Sequence, residues 1–282
     1  MKRLVLHRRD VLAGGVGLVT AIALGRGANA EAALRGEFVP GALIRGRAEP
    51  SARVSIDGRV LNLTAKGDFA FGFAYDRTAS ARFKIDVAGE KSDEKQIELG
   101  KREYEVQRIN GLPEKLVEPP ASVLARIEQE NKLIGAARSR DTDEAWFADD
   151  FAWPVKGTVT GVYGSQRILN GVPKRPHFGV DIAAPQGKAI RAPVGAIVSM
   201  AEKDLYFTGG TVILDHGRGV STSYLHMSRL DVKVGDRIAK GDVIGAVGKT
   251  GRATGPHLCW RLNWFQERLD AALVVPEMPR PG

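Results

Sequence analysis

The sequence predicts a mainly β protein in which strands dominate both halves of the chain and a helix lies between them. In residues 35–100 and again in residues 151–265, apolar and polar residues alternate in short runs bounded by glycine, proline or aspartate, which is typical of strands. Between these regions, residues 121–138 repeat their apolar positions near the helical period. The chain has 282 residues, 43% of them hydrophobic, so it is long enough for two domains with their own cores.

The start of the chain has the pattern of an export signal. A basic opening, MKRLVLHRRD, is followed by a weakly apolar run and by Ala28-Asn29-Ala30, a small-x-small cleavage site. The run is shorter than the roughly 20 residues that a membrane helix needs, so we expect no permanent membrane span. We predict that residues 1–30 are a cleavable signal peptide that directs the protein to the periplasm or cell envelope. The Arg8-Arg9 pair resembles a twin-arginine signal, but it does not decide between the twin-arginine and Sec routes.

The N-terminal half is predicted to contain a small β-sandwich module over residues 31–110. Its strands are the stretches ALIRGRA, ARVSIDG, FAFGFAY and ARFKIDVAG, with turn residues between them. The module has no histidine, cysteine or clustered acid pair, which favours a spacer or binding role over catalysis. Residues 111–150 are predicted to be a linker that holds a helix from Ala121 to about Arg138, after an irregular connection over residues 101–120.

The C-terminal half is predicted to be an antiparallel β domain over residues 151–270, followed by a tail over residues 271–282. The formal net charge of the chain is +8, and residues 151–282 carry 17 basic and 10 acidic residues. This basic half should be attracted to an anionic polymer such as the cell wall, a membrane surface or a nucleic acid. No arginine-rich arm, zinc-finger spacing or recognition-helix pattern favours a nucleic acid, so we expect no nucleic-acid partner.

The stretch HFGVD places a histidine and an aspartate four residues apart. On a strand, residues two and four apart share a face, so His177, Gly179 and Asp181 should point one way while Phe178 and Val180 point the other. Glycine at the middle position would leave room for an ion between its neighbours. Taken alone, this spacing fits either half of a metal site or two unrelated polar residues.

Two further strands repeat the division into a polar and an apolar face. The residues that alternation places on their polar faces are His257, Cys259 and Arg261 in TGPHLCWRL, and Thr222, Tyr224 and His226 in STSYLHMS. Together with HFGVD, these faces hold the only cysteine of the chain and every histidine except His7 and His216. This concentration favours a metal site. We interpret His216, in the turn-like LDHGRGV, as a polar residue on a wet face, and the single cysteine excludes an internal disulfide.

These motifs resemble those of the lysostaphin-type (LytM-like) zinc endopeptidases of peptidase family M23, which cut peptide cross-links in peptidoglycan. The resemblance covers about residues 151–265, where the elements His-x-x-x-Asp, Tyr-x-His and Gly-Pro-His occur in the family's order with glycine-rich hairpins between them. It implies a compact antiparallel β-fold of the duplicated hybrid motif type, with a groove and a Zn²⁺ ion at its floor. It also implies that the partner is a peptidoglycan peptide. Protein regulators of the enzyme are conceivable but unidentified.

The resemblance assigns roles to individual residues. His177 and Asp181 match the first two zinc ligands, and His226 and His257 match the catalytic residues that handle protons beside the metal. Relatives have histidine at the position of the third ligand, where this chain has Cys259. Tyr224 could donate a hydrogen bond to the substrate oxyanion or could simply be packed in the core.

A cysteine in the third position changes the expected chemistry without excluding it. A thiolate is a normal zinc ligand, but its charge makes the centre neutral, so a bound water should lose its proton at higher pH than in the usual site. Two other functions stay open. One is a metal-poor cell-wall binder or hydrolase activator, and the other is a thiol hydrolase that uses Cys259 with His257.

Overall fold

The computed structural model describes residues 32–278, and the predicted signal peptide lies outside them. The described part contains strands and two α-helices, with two short 3₁₀ turns at Trp146–Ala148 and Ala271–Val274. The strands, in chain order, are β1 Ala32–Arg35, β2 Leu43–Ala48, β3 Arg53–Ile56, β4 Arg59–Leu61, β5 Asp68–Gly72, β6 Ala81–Asp86, β7 Asp93–Ile97, β8 Val106–Ile109, β9 Thr158–Gly161, β10 Gln166–Leu169, β11 Val172–Pro173, β12 Val180–Ala183, β13 Ala189–Arg191, β14 Ala196–Leu205, β15 Gly209–Asp215, β16 Val220–Met227, β17 Arg229–Leu230, β18 Arg237–Ile238, β19 Val243–Ala246, β20 His257–Trp264 and β21 Glu267–Leu269. The helices are α1 Glu114–Val117 and α2 Ala121–Arg138.

The N-terminal module is built from two antiparallel sheets. One has the order β1-β2-β5 and the other has the order β4-β3-β6-β7. Aromatic rings from the two sheets meet between them, because Phe83 of β6 stacks against Phe69 and Phe71 of β5 with ring centroids 6.1 Å apart in each pair. All three rings are buried, so the module has a core of the β-sandwich type that the alternating pattern predicted.

The connection to the second domain is more ordered than its charged sequence suggested. Residues 101–120 were expected to be irregular, but they contain β8 and the single turn of α1. β8 pairs in parallel with β10, so this segment extends a three-stranded sheet of order β11-β10-β8. Parallel pairing joins residues far apart in sequence, and no local pattern signals it. The longer helix, α2, has the predicted bounds and packs Ile134 and Ala137 against β14 and β15.

The C-terminal domain is organised by one large antiparallel sheet of order β18-β14-β15-β16-β20-β12-β9, with β21 beside β20. Directly opposite residues in an antiparallel pair share a face. Val180 and Tyr224 both pair with Trp260, so these three side chains lie on one face, which is packed into the core. Asp181 and Leu225 both pair with Cys259, so these three side chains lie on the opposite face.

His216 is buried and does not lie on a wet face. Its Nδ1 contacts the Gly195 carbonyl oxygen at 2.8 Å, its Nε2 contacts Thr222 Oγ1 at 2.8 Å, and Phe151 packs edge-on against the ring. Because a carbonyl oxygen can only accept, Nδ1 carries the proton and Nε2 accepts from the threonine hydroxyl. The expectation of a surface histidine was wrong, because Gly195, Thr222 and Phe151 surround the ring.

Burial lowers the pKa of His216 from 6.5 to about 4, which predicts a pH-dependent stability. The unfolded chain binds a proton at this residue below pH 6.5 while the folded protein does not, so the free energy of unfolding should fall as the pH drops toward 4. The contribution of this residue over that window is about 3 kcal/mol. Urea unfolding at pH 7 and pH 4.5 should therefore show a smaller pH effect in His216→Gln than in the wild type. An equal effect in both proteins would contradict the assignment.

Within residues 32–278, no helix combines the length and apolar character needed to cross a membrane.

Candidate metal centre

Three buried side chains converge on the side of the large sheet opposite Tyr224 and Trp260. His177 Nε2 lies 3.1 Å from Asp181 Oδ1 and 3.3 Å from Cys259 Sγ, and the three potential ligand atoms all lie within 4.8 Å of one another. Asp181 and Cys259 are directly opposite each other on β12 and β20. His177 lies in the loop before β12 rather than on a strand, because β12 begins at Val180. The predicted juxtaposition is therefore present, although part of HFGVD is not a strand.

The cluster fits a divalent metal such as zinc. Zinc bonds of about 2.0–2.3 Å in a tetrahedral arrangement place ligand nitrogen and oxygen atoms about 3.3 Å apart, and nitrogen and sulfur atoms about 3.6 Å apart. The observed separations of 3.1 Å and 3.3 Å are close to these values. Asp181 Oδ1 is buried and has no hydrogen bond within the described residues. A buried carboxylate oxygen without a donor is costly, and a cation at this point would satisfy it.

Two glycines keep space around the cluster. A Cβ on Gly179 would lie 3.0 Å from Cys259 Sγ and 2.9 Å from Arg261 Cγ, so the missing side chain makes room for these two side chains, whereas the sequence suggested room for an ion. A Cβ on Gly161, in the neighbouring strand β9, would lie 2.5 Å from Asp181 Oδ2. Contacts that short do not occur between real atoms without movement, and the carboxylate could not keep its position.

We expect Gly161→Ala to weaken metal binding without unfolding the protein. The added methyl group displaces the Asp181 carboxylate, and disturbing the surroundings of a metal ligand typically costs about 10-fold to 100-fold in affinity. Competition with a chelator of known affinity would measure the change, and circular dichroism would report the fold. Gly255→Ala is a matched control, because a Cβ there meets nothing within 4 Å. Equal metal affinity in the two variants would contradict this account.

Arg167 is a functional residue that the sequence analysis missed. Its Nη2 donates to Asp181 Oδ2 at 2.5 Å, which fixes one carboxylate oxygen and leaves Oδ1 facing His177 and Cys259. Burial opposes ionisation of Asp181, but its contact with His177 Nε2 and the permanent charge of Arg167 outweigh it and hold the pKa of Asp181 well below its usual range. Nothing in the local sequence around Arg167 signals this long-range ion pair.

The protonation of the other two cluster residues follows from burial. Burial lowers the pKa of His177, which keeps the imidazole neutral and its lone pair free for a metal. Burial, with a further contribution from Asp181, raises the pKa of the Cys259 thiol to about 12. A thiol of this kind is a poor nucleophile by itself, because the thiolate is the reactive form. The nearest imidazole nitrogen to the sulfur belongs to His177, and not to His257 as a thiol hydrolase of the expected type requires.

His226 and His257 form a pair beside the cluster. Their ring centroids are 4.7 Å apart, and His257 Nε2 lies 3.9 Å from Asp181 Oδ1. His226 Nδ1 donates to the Thr250 carbonyl and His257 Nδ1 donates to the Gly255 carbonyl, since a carbonyl cannot be the donor. In the neutral form of each ring, the lone pair is therefore on Nε2. Burial and the neighbouring His257 lower the pKa of His226 to about 3, so this imidazole is neutral near pH 7.

The backbone of His226 explains how it reaches this face. Simple alternation along β16 places His226 on the same side as Tyr224, which is the core side. His226 has a φ of 67°, in the left-handed region that non-glycine residues seldom adopt. This conformation interrupts the strand alternation and brings the imidazole to His257. Strained backbone of this kind is concentrated at functional sites.

Tyr224 does not share the face of the cluster. The prediction that alternation would group it with His226 on the polar side was wrong, because Tyr224 pairs with Trp260 on the core side. Its side chain is fully buried, and its hydroxyl lies 2.8 Å from Thr222 Oγ1. Burial raises its pKa above the usual range. These contacts make Tyr224 a packing residue that links β16 to the core.

Comparisons with known proteins agree with this geometry. Residues 175–271 match the profile described as Peptidase family M23. A crystal structure from Pseudomonas aeruginosa described as a peptidase M23 superposes with a TM-score of 0.66 at 27% identity, over 85% of this chain and 95% of that chain. The peptidoglycan DD-endopeptidase ShyA of Vibrio cholerae is 41% identical over 120 residues, which are 39% of this chain and 28% of ShyA.

A second curated relative extends the comparison to another organism. The DD-carboxypeptidase/endopeptidase Mpg of Neisseria meningitidis is 46% identical over 108 residues, which are 37% of this chain and 24% of Mpg. The chain thus spans about a quarter of the length of these curated relatives. The residues that match the family profile lie in the domain that carries the cluster. Residues 175–271 therefore form a domain of peptidase family M23.

Proposed function

We propose that this protein is a zinc-dependent endopeptidase that hydrolyses peptide cross-links of bacterial peptidoglycan. The observation that carries the proposal is the convergence of His177, Asp181 and Cys259, with ligand atoms within 4.8 Å of one another and the His226–His257 pair beside them. The names of the curated relatives, which describe peptidoglycan endopeptidases, support the choice of substrate. Export to the periplasm by a signal peptide is part of the same proposal and is supported by the sequence pattern of residues 1–30.

The metal ligands and the two histidines have different roles in peptide hydrolysis. When bound at the cluster, zinc supplies Lewis acidity, which lowers the pKa of a water molecule and polarises a peptide carbonyl. The Nδ1 atoms of His226 and His257 are bonded to backbone carbonyls, so each Nε2 is the atom that accepts a proton in the neutral ring or donates a hydrogen bond to the oxyanion in the protonated ring. Their backbone partners hold the rings in place while the proton moves.

Arg167 offsets part of the effect of the cysteine. A thiolate in place of histidine adds a negative charge and makes the centre less acidic. The Arg167 guanidinium, 2.5 Å from Asp181 Oδ2, withdraws electron density from the carboxylate and places a permanent positive charge next to the site. Arg261 also lies beside Cys259 and favours its ionised form. These two arginines favour activity near neutral pH despite the cysteine.

Metal analysis and a digest test the proposal together. The purified protein should contain about one equivalent of zinc, and mass spectrometry of digested muropeptides should show cleaved peptide cross-links that a chelator protects. Intact muropeptides with zinc-loaded protein would contradict the proposal. Protein that takes up no zinc but still binds cell wall would indicate a non-catalytic binder.

Substitution of Cys259 separates the metal enzyme from a thiol enzyme. Cys259→His should retain zinc and activity, and the pH at which the reaction reaches half its maximal rate should fall, because a neutral ligand leaves the centre more positive. Cys259→Ala should lose zinc and activity. A thiol nucleophile instead requires that both substitutions abolish the reaction, so activity in Cys259→His decides between the two mechanisms.

A further inference from the structure

Three arginines without a carboxylate partner in the described residues lie next to the metal centre, and we name Arg138, Arg261 and Arg268 the arginine cluster. Arg138 is at the end of α2 and is only 4% exposed. Arg261 is on β20, two residues after Cys259, and Arg268 is on β21. Arg261 and Arg268 are partly exposed, so the cluster is not sealed from solvent.

Strand register and one glutamine bring the three side chains together. Arg268 pairs with Asn263 on β20, so Arg261 is its diagonal neighbour on the same face, about 7–8 Å away at the backbone. Gln266, in the turn between β20 and β21, donates to the Gly135 carbonyl at 2.9 Å and to Ser139 Oγ at 3.0 Å. These bonds hold the end of α2 over the turn. Arg138 is close enough to Arg268 and Arg261 for their positive charges to lower its pKa.

None of the three guanidinium groups forms an ion pair with a carboxylate anywhere in residues 32–278. The Nε atoms of Arg138 and Arg261 and one terminal nitrogen of Arg268 are buried without an acceptor. On the same face, the hydroxyls of Ser221 and Ser223 are also buried without a partner. Arg102, by contrast, is paired with Asp270 at 2.7 Å.

Neighbouring positive charges that are buried without a counter-charge are unfavourable, because each loses its hydration and repels the others. The effect is visible in Arg138, where burial and then the charges of Arg268 and Arg261 lower the pKa well below its usual value. An anion bound between the guanidinium groups would relieve this cost. Guanidinium groups bind carboxylates and phosphates through two parallel hydrogen bonds, and free hydroxyls can add further donors.

We propose that the arginine cluster binds a free carboxylate of the peptide substrate, close to the bond that is cleaved. Arg261 follows Cys259 by two positions on one strand, so the cluster begins about 7 Å from the metal centre. That distance is about the span of one or two peptide residues. The inference rests on the proposed peptidase function. It adds a substrate preference, because the arginine cluster would select anionic cross-link peptides over neutral ones.

Two synthetic cross-link peptides test the inference, one with the free carboxylate next to the scissile bond and the other with that group converted to an amide. Binding is measured by calorimetry with chelator-treated protein, so that no cleavage occurs. The wild type should bind the acid about 10-fold to 100-fold more tightly than the amide, as is typical for a charge-assisted hydrogen bond. Arg268→Gln and Arg138→Gln should each reduce that ratio toward 1.

Arg53→Gln is the matched control, because it removes one positive charge from an exposed position of the N-terminal module and should leave the ratio unchanged. Arg268→Lys keeps the positive charge but loses the two parallel N–H donors of the guanidinium group, so its acid-to-amide affinity ratio should be intermediate. If Arg138→Gln fails to fold, Arg268→Gln alone carries the comparison, because Arg268 is not fully buried.

Equal binding of acid and amide by the wild type, or an unchanged ratio in Arg268→Gln, would overturn the inference. Acetate and inorganic phosphate are tested as competitors. If they bind to the cluster while the acid peptide shows no advantage over the amide, the site holds an adventitious ion only, which also overturns the inference. Loss of cleavage of both peptides by the zinc-loaded enzyme would contradict the proposed function, but it would leave the binding comparison valid.

Discussion

Asp181→Asn should remove most of the bound zinc and reduce hydrolysis of a peptidoglycan cross-link by at least about 100-fold. Structural zinc sites of four ligands provide roughly 10–16 kcal/mol, so loss of one charged ligand costs about 3 kcal/mol, or more than 100-fold in affinity. The amide also breaks the ion pair with Arg167 and leaves that guanidinium without its partner. Zinc content by elemental analysis and cleavage of a defined cross-link peptide would both be measured.

Asp215→Asn is the matched control for this substitution. Asp215 is a buried carboxylate on the same sheet, where it accepts hydrogen bonds from Thr142 Oγ1 and the Gly217 backbone N–H, both at 2.9 Å, and it is not part of the metal cluster. We expect this variant to keep its zinc and its activity, even if it is less stable. A zinc content that falls equally in both variants would show that the loss comes from general destabilisation.

His226→Asn should lower kcat by about 100-fold to 10,000-fold while the zinc content stays the same. The expected loss is that of a positioned acid–base group in the transition state. Asparagine is chosen because it tolerates a positive φ better than most residues, so the left-handed backbone at this position can persist. His257→Gln should also reduce kcat, and the two single variants together measure how far the pair acts as a unit.

The assignment of His226 to proton handling can fail in two ways. Loss of zinc together with activity would make His226 a metal ligand rather than an acid–base residue. Retention of full activity would remove it from the mechanism. His216→Gln, which changes a buried histidine outside the site, should keep its kcat at neutral pH and so shows whether loss of any core histidine is harmful.

The parts of the fold that local periodicity controls were predictable from the sequence. α2 has the predicted bounds because its apolar positions repeat every three to four residues and Pro120 precedes it. Asp181 and Cys259 were placed on one face because β12 and β20 are regular at those positions. The β-sandwich of the N-terminal module followed from the same alternation.

The sequence-based interpretation failed where the backbone departs from a regular strand or where the partner is distant. Alternation grouped Tyr224 with His226, and only the positive φ of His226 separates them. Arg167 was missed because its ion pair with Asp181 depends on the packing of β10 against β12 and on no local motif. His216 was expected at the surface because LDHGRGV looks like a turn. Its burial depends on contacts with Gly195 and Phe151, which are distant in sequence.

The parallel pairing of β8 with β10 has a practical consequence for work on the isolated domain. If the chain were cut at residue 150 to obtain the C-terminal half, β10 would lose the strand that now covers one of its edges. An uncovered edge offers free N–H and C=O groups to any extended segment, including another copy of the same fragment. Such a fragment should oligomerise, whereas one that begins at residue 101 keeps β8 and should stay dispersed.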